Sequence, residues 1–174
     1  APVDAKRPLW AARRKLEVYG LPFATLVHPG VDTMDGEIRG DIVVYPHAHL
    51  GPQVVLGEGS VVFMGAVVGH ESHLARGCIV AANAVVNGRV LLGEAAYVGT
   101  NAAILPDVKI GPWATIGAGS VVTQDVPAGA TILGVPGKMI YVLSPEQLQM
   151  RMSDLDPAQP PLKLESPFPL AGSS

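Results

Sequence analysis

From Ile38 onward the chain repeats one pattern. Ile38, Val44, Leu50, Leu56, Val62, Val68, Leu74, Val80, Val86, Leu92, Val98, Ile104, Ile110, Ile116 and Val122 stand six residues apart, and all are aliphatic. The fourth residue after each is Ala, Ser, Cys or Val, except at Ile42. Glycine often follows the aliphatic position directly, as at Gly51, Gly57, Gly69, Gly93, Gly99, Gly111 and Gly117. A period of six is neither the alternation of an ordinary strand nor the 3.6 of a helix, and a fixed internal period marks a solenoid. It predicts a triangular coil of three short faces and three corners. The aliphatic side chain fills the prism, the small residue points inward where space is limited, and glycine near the corner relaxes the backbone angles. Three hexads close one coil, so residues 38–127 make five coils without insertion. A β-sandwich also alternates, but its turns vary in length and do not hold such a period over this span.

The flanks read differently. Residues 8–19 predict a helix, with Pro8 in its first turn, Gly20 just past its end and Leu9, Ala12, Leu16 and Tyr19 on one face. Leu21 to Val27 reads as extended, ending at His28-Pro29. After the last coil come Pro127, Gly129, Gly134, Pro136 and Gly137. Ser144-Pro145-Glu146 predicts the cap of a short helix running to about Met152. A Pro/Ser-rich tail follows and reads as extended or disordered. The expected division is a lead-in over 1–30, a β-helix over 31–136 and a C-terminal extension over 137–174.

Composition narrows the classes. The chain has 174 residues, a net charge of −3 and no basic stripe beyond Arg13-Arg14-Lys15, which argues against nucleic acid. Mean hydropathy is positive, yet no apolar run approaches the roughly 18 residues of a spanning helix, so no membrane partner is expected. A single cysteine, Cys78, excludes a disulfide framework and fits a reducing compartment. There is no signal-peptide pattern, and the chain starts at Ala1 without Met, which leaves room for a removed N-terminus. The expectation is a cytoplasmic protein.

The inside of such a prism is inert packing, so chemistry belongs at corners and on outward positions. His70 and Glu71 share one corner. An imidazole beside a carboxylate can act as a general base, the carboxylate orienting the ring or stabilising its charged form. A corner histidine is also commonly just a solvated residue. Gly88 follows His70 by eighteen residues and should stack one coil above it, leaving a backbone N–H open toward a thioester carbonyl. Cys78 falls on an inward small position and reads as packing. His47, His49, His70 and His73 raise a metal site, but no pair has an evident ligand geometry, and no metal is expected. His28, before Pro29, reads as structural.

Several segments together resemble the hexapeptide-repeat sugar O-/N-acyltransferases of the sialic acid O-acetyltransferase and bacillosamine N-acetyltransferase type. These are Phe23–Pro29 (FATLVHP), Gly69-His70-Glu71, Asn101–Pro106 (NAAILP), Ile116–Val122 (IGAGSVV) and Gly134–Gly137 (GVPG). The likeness covers about two thirds of the chain, from Phe23 to Gly137. It implies an all-β, left-handed parallel β-helix, against the usual right-handed crossover. It also implies a homotrimer with sites between subunits, acetyl-CoA as acyl donor, and an amino or hydroxyl group of a sugar or nucleotide-sugar as acceptor. His70 matches the family's base and Glu71 its companion. Gly88 matches a backbone contact to the thioester, and Thr100 and Ala118 match positions lining the CoA groove. Ile79 stands where the family often carries a second histidine, and it is retained as a CoA contact. Members usually begin with a Rossmann-like domain, of which residues 8–27 supply only a final helix and strand.

Two other readings stay open. A γ-carbonic-anhydrase-like zinc enzyme shares the fold but needs a His-x4-His pair, whereas this chain has His70-x2-His73. A non-catalytic trimeric scaffold needs no donor site at all.

Overall fold

The computed structural model describes residues 23–153 together with Arg13, Leu16, Tyr19 and Gly20. The chain divides into two compact units, residues 23–148 and residues 1–22 with 149–174. Of the latter, Arg13 and Leu16 are helical, and the Tyr19 N–H donates to the Leu16 carbonyl at 3.0 Å. Gly20 takes φ +63°, as a residue just past a helix end does. The rest of the expected helix 8–19, and the tail beyond Ser153, lie outside the described residues.

Within residues 23–148, the strands from Leu26 to Leu133 form the expected left-handed parallel β-helix. Face I carries Leu26–Val27, Val43–Val44, Val61–Val62, Ile79–Val80, Tyr97–Val98, Thr115–Ile116 and Ala130–Leu133, all parallel. Face II carries His49–Leu50, Val67–Val68, Val85–Val86, Ala103–Ile104 and Val121–Val122. Face III carries Glu37–Ile38, Val55–Leu56, His73–Leu74, Leu91–Leu92 and Lys109–Ile110. Pairing is in register at eighteen residues, as in Val61↔Ile79, Ile79↔Tyr97 and Tyr97↔Thr115. The register holds because a one-residue slip would turn every inward side chain outward. It shortens only at the ends, with Leu26 against Val43 and Thr115 against Thr131. Pairing therefore continues past the five coils read from the repeat. At the far end Lys138–Val142 adds antiparallel to Ala130–Leu133, with a register shift at Thr131/Ile132, and covers that rung's backbone edge.

From Val44 to Val122 the repeated aliphatic positions are buried almost completely, as are the small inward residues, and Ile38 at the start is partly buried. Several of the small residues do more than save space, Ser60 and Ser72 among them. Ser60 Oγ donates to the Ala75 carbonyl at 3.1 Å and accepts the Cys78 N–H at 3.2 Å. Ser72 Oγ donates to the Asn87 carbonyl at 2.8 Å and accepts the Val90 N–H at 3.2 Å. Each hydroxyl ties one coil to the next, which satisfies a polar group buried in the core. Cys78 is buried too, as its inward position required.

The role of the corner glycines is corrected. Positive φ recurs every six residues, from Asp41, His47 and Gln53 through Glu71, Asn83, Arg89, Asn101 and Asp107 to Gly119, three places after each aliphatic residue. The glycines that directly follow the aliphatic position are not among them. They answer to crowding instead. A Cβ on Gly93 would fall 2.5 Å from Pro112 N, and one on Gly69 would fall 2.6 Å from Asn87 C. Successive coils stack about 4.8 Å apart at these points, and only glycine lets the backbones approach. The left-handed turn position is filled largely by Asn, Asp and Gly, the residues that tolerate it best.

The C-terminal helix α1 spans Pro145–Ser153. Its cap is a reciprocal one. Ser144 Oγ accepts the Gln147 N–H at 3.2 Å, and Gln147 Oε1 accepts the Ser144 N–H at 2.9 Å.

Candidate active site

His70 and Glu71 sit at the corner between faces II and III. Their side chains are about half exposed, at 48% and 50%, so a substrate can reach them. His70 Nδ1 lies 2.8 Å from Glu71 Oε2. A carboxylate only accepts, so this contact selects the tautomer with the proton on Nδ1 and leaves a lone pair on Nε2. Glu71 is in the left-handed region at φ 57°, the corner position shared by the whole repeat, which turns its carboxylate back onto the neighbouring ring.

Gly88 lies one coil above, against the face of that ring. A Cβ there would fall 2.8 Å from His70 Cε1 and 2.9 Å from Cδ2, with Nε2 closer still. The Gly88 carbonyl accepts the Asp107 N–H at 3.1 Å. Its own N–H donates to no acceptor among the described residues. The ring is exposed and covers Gly88, which is itself buried, so a base and a glycine whose N–H has no acceptor among the described residues adjoin at one corner, an arrangement that suits acyl transfer to a nucleophile.

The other candidate residues lie elsewhere on the chain. Thr100 and Ala118 stack on the corner between faces I and II, where the Gly119 N–H donates to the Thr100 carbonyl at 2.8 Å. Ile79 is on face I and is 7% exposed. Its outward register did not reveal that it is covered. His49 and His73 project from faces II and III, and His47 lies on the corner between faces I and II, so the histidines near in sequence are dispersed. Among the described residues no group of three His, Cys, Asp or Glu could hold a metal ion. His28 Nδ1 accepts the Gly30 N–H at 3.1 Å, a local turn contact.

One pair escaped the sequence reading. Arg89 and Asp107 occupy the same corner ladder as Glu71, one and two coils above it. Arg89 Nε and Nη2 donate to the two Asp107 oxygens at 2.6 and 2.8 Å. That hydrogen bonding holds the Asp107 carboxyl below its ordinary value, and the nearby His70 acts in the same direction. Asp107 also raises Arg89 above its ordinary value, with a smaller contribution from Glu71. The spacing of eighteen along positions 71, 89 and 107 was the available signal.

Comparison with known proteins agrees with this architecture. Residues 89–124 match the family model of the bacterial transferase hexapeptide (six repeats). The chain is similar to the acetyltransferase domain of PglB from Neisseria gonorrhoeae FA1090, solved in complex with acetyl coenzyme A. Identity is 28% over 75% of this chain and 66% of that one, with a TM-score of 0.70. It is also similar to PerB from Caulobacter crescentus, solved with CoA and GDP-perosamine. There identity is 26% over 78% of this chain and 67% of that one, with a TM-score of 0.54. The chain thus spans about two thirds of the length of these structures. No curated protein matches its sequence significantly. The chain carries the hexapeptide repeat of bacterial transferases, and the solved proteins it resembles are acetyltransferases.

Proposed function

We propose that the protein is an acyl-CoA-dependent acyltransferase, with acetyl-CoA as donor and an amino or hydroxyl group of a sugar or nucleotide-sugar as acceptor. The observation that carries the reading is the His70–Glu71 contact of 2.8 Å with the ring laid against Gly88. His70 Nε2 takes the proton from the acceptor as its nitrogen or oxygen attacks the thioester carbonyl carbon. The Gly88 N–H stabilises the oxyanion that forms. Glu71 holds the ring and stabilises its charged form. Collapse breaks the carbon–sulfur bond, and the imidazolium returns its proton to the departing thiolate. The acceptor class rests on the relative solved with GDP-perosamine, and the donor on the relatives solved with CoA or acetyl-CoA.

The placement of the candidate groove residues supports a homotrimer. Both candidate corners flank face II, whose outward ladder above His49 is Val67, Val85, Ala103 and Val121. Three prisms turning face II toward a threefold axis bring the His70 corner of one copy against the Thr100/Ala118 corner of the next. Each site is then shared, with Gly88 from one chain and Thr100 and Ala118 from its neighbour lining the CoA path. A buried lone thiol fits a reducing compartment, and we place the protein in the cytoplasm. Among the described residues no helix is long and apolar enough to cross a membrane.

The test is acetyl transfer from acetyl-CoA to nucleotide-linked amino-sugars, followed by release of the free thiol. Turnover that is lost in His70→Gln supports the reading. Turnover unaffected by that change, or failure of the wild-type protein to bind acetyl-CoA by calorimetry, overturns it.

A further inference from the structure

The II/III corner carries one side chain per coil at its left-handed position: Gln53, Glu71, Arg89 and Asp107, each eighteen residues after the last. The charges run acid, base, acid, with Arg89 between two carboxylates at about one coil spacing from each. An arginine so placed can pair with either. Paired with Glu71, it would draw off the acceptor that fixes the His70 ring. It pairs instead with Asp107, through both nitrogens of its fork, the geometry that favours arginine–carboxylate contacts. Glu71 is left on His70 Nδ1.

We propose that Asp107 is a positioning residue that holds Arg89 away from Glu71, and so keeps Glu71 on His70. Asp107 touches no reacting atom: its hold on the ring runs through Arg89 and Glu71, beside a weaker direct electrostatic attraction to His70. The arrangement around the corner bears this out. Below it stand Gly51, Pro52 and Gln53, which carry no charge, and the Gln53 N–H is occupied by Asp35 Oδ1 at 3.0 Å. On the following strand is His73, which faces outward on face III. Arg89 is therefore the cation stacked next to Glu71, and Asp107 is the carboxylate that competes for it. The consequence for catalysis rests on the acyltransferase reading. The consequence for the imidazole does not.

The test uses the full chain, labelled with ¹⁵N, and reads the tautomer of His70 from its ring nitrogen shifts, assigned through His70→Gln. The variants are Asp107→Asn, which keeps the size and suits a left-handed φ, and the double variant Arg89→Gln/Asp107→Asn, which removes the competitor as well. The wild-type ring should carry its proton on Nδ1. Asp107→Asn should shift population to the Nε2–H tautomer, and the double variant should restore the wild-type signature. Acetyl transfer should follow, falling about fivefold in the single variant, near the upper end for an exposed ion pair, and recovering in the double. A tautomer unchanged by Asp107→Asn, or not restored by removing Arg89, overturns the proposal. If the wild-type protein transfers no acetyl group, the tautomer measurement decides alone. The acyltransferase reading then falls without it.

Discussion

Gly88 and His70 stand one coil apart, and the space that a Cβ on Gly88 would fill is the His70 imidazole itself, 2.8 Å from Cε1 and 2.9 Å from Cδ2. The glycine is therefore a seat for the ring. It is not in the left-handed region, so its value lies in room and in its free N–H, not in backbone freedom.

Gly88→Ala should displace the ring and crowd the N–H. We expect kcat to fall about 10²-fold, the loss typical of a spoiled oxyanion donor, with little change in thermal stability. Steady-state kinetics beside a thermal melt checks this. A variant with wild-type kcat would show that the ring does not work from this position.

Glu71→Gln removes the charge that accepts from Nδ1 while keeping the shape. Activity should drop about tenfold or more, since the amide neither stabilises the imidazolium nor enforces the tautomer. The fall should appear in kcat with the KM for acetyl-CoA little changed. A rise confined to KM would instead assign Glu71 to donor binding.

The corner glycines separate two physical roles. Gly93→Ala places a Cβ 2.5 Å from Pro112 N on the next coil, where backbone cannot yield cheaply. Overpacking of that kind should cost about 1–3 kcal/mol. Gly119 has φ +67° and nothing within 4 Å of a Cβ, so Gly119→Ala should cost only about 1 kcal/mol of backbone strain. Denaturant unfolding of the two variants should keep that order, and the reverse order would contradict it.

The Arg89–Asp107 pair gives a pH dependence. Asp107 is held below its ordinary value by Arg89, so the pair's contribution is present above the ordinary aspartate range and is lost as pH falls through the lowered value. The gap in Tm between wild type and Arg89→Gln/Asp107→Asn should be small near neutrality, as for any exposed pair, and should close in acid. A gap that widens in acid would exclude this origin.

Much of this molecule was legible in its sequence because one constraint, a prism cross-section, repeats on every coil. The inward positions from Val44 to Val122, and the stacking of Gly88 on His70, follow from counting by six and eighteen. Ile79 did not follow, because its register says that it points outward and nothing in the repeat says what covers it. The Ser60 and Ser72 bonds were also hidden, since a small inward residue reads the same whether or not it bonds the next coil. The left-handed positions could be mistaken for the glycine positions because both lie at corners. The folded structure separates a residue that adopts a rare φ, such as Asn83, from one that needs an absent side chain, such as Gly69.

A shared site makes a further prediction. His70→Gln and Ala118→Trp should each be inactive, the second by filling the neighbour's side of the groove. Co-expressed, the two should assemble some sites with both native corners and regain activity. No recovery on mixing would mean that each chain holds a complete site.

The most direct measurement is a crystal structure with acetyl-CoA bound. The thioester carbonyl oxygen should lie at the Gly88 N–H, about 3 Å away, with the carbonyl carbon open to a nucleophile held by His70 Nε2. A thioester seated on another corner, away from His70, would contradict the proposed mechanism.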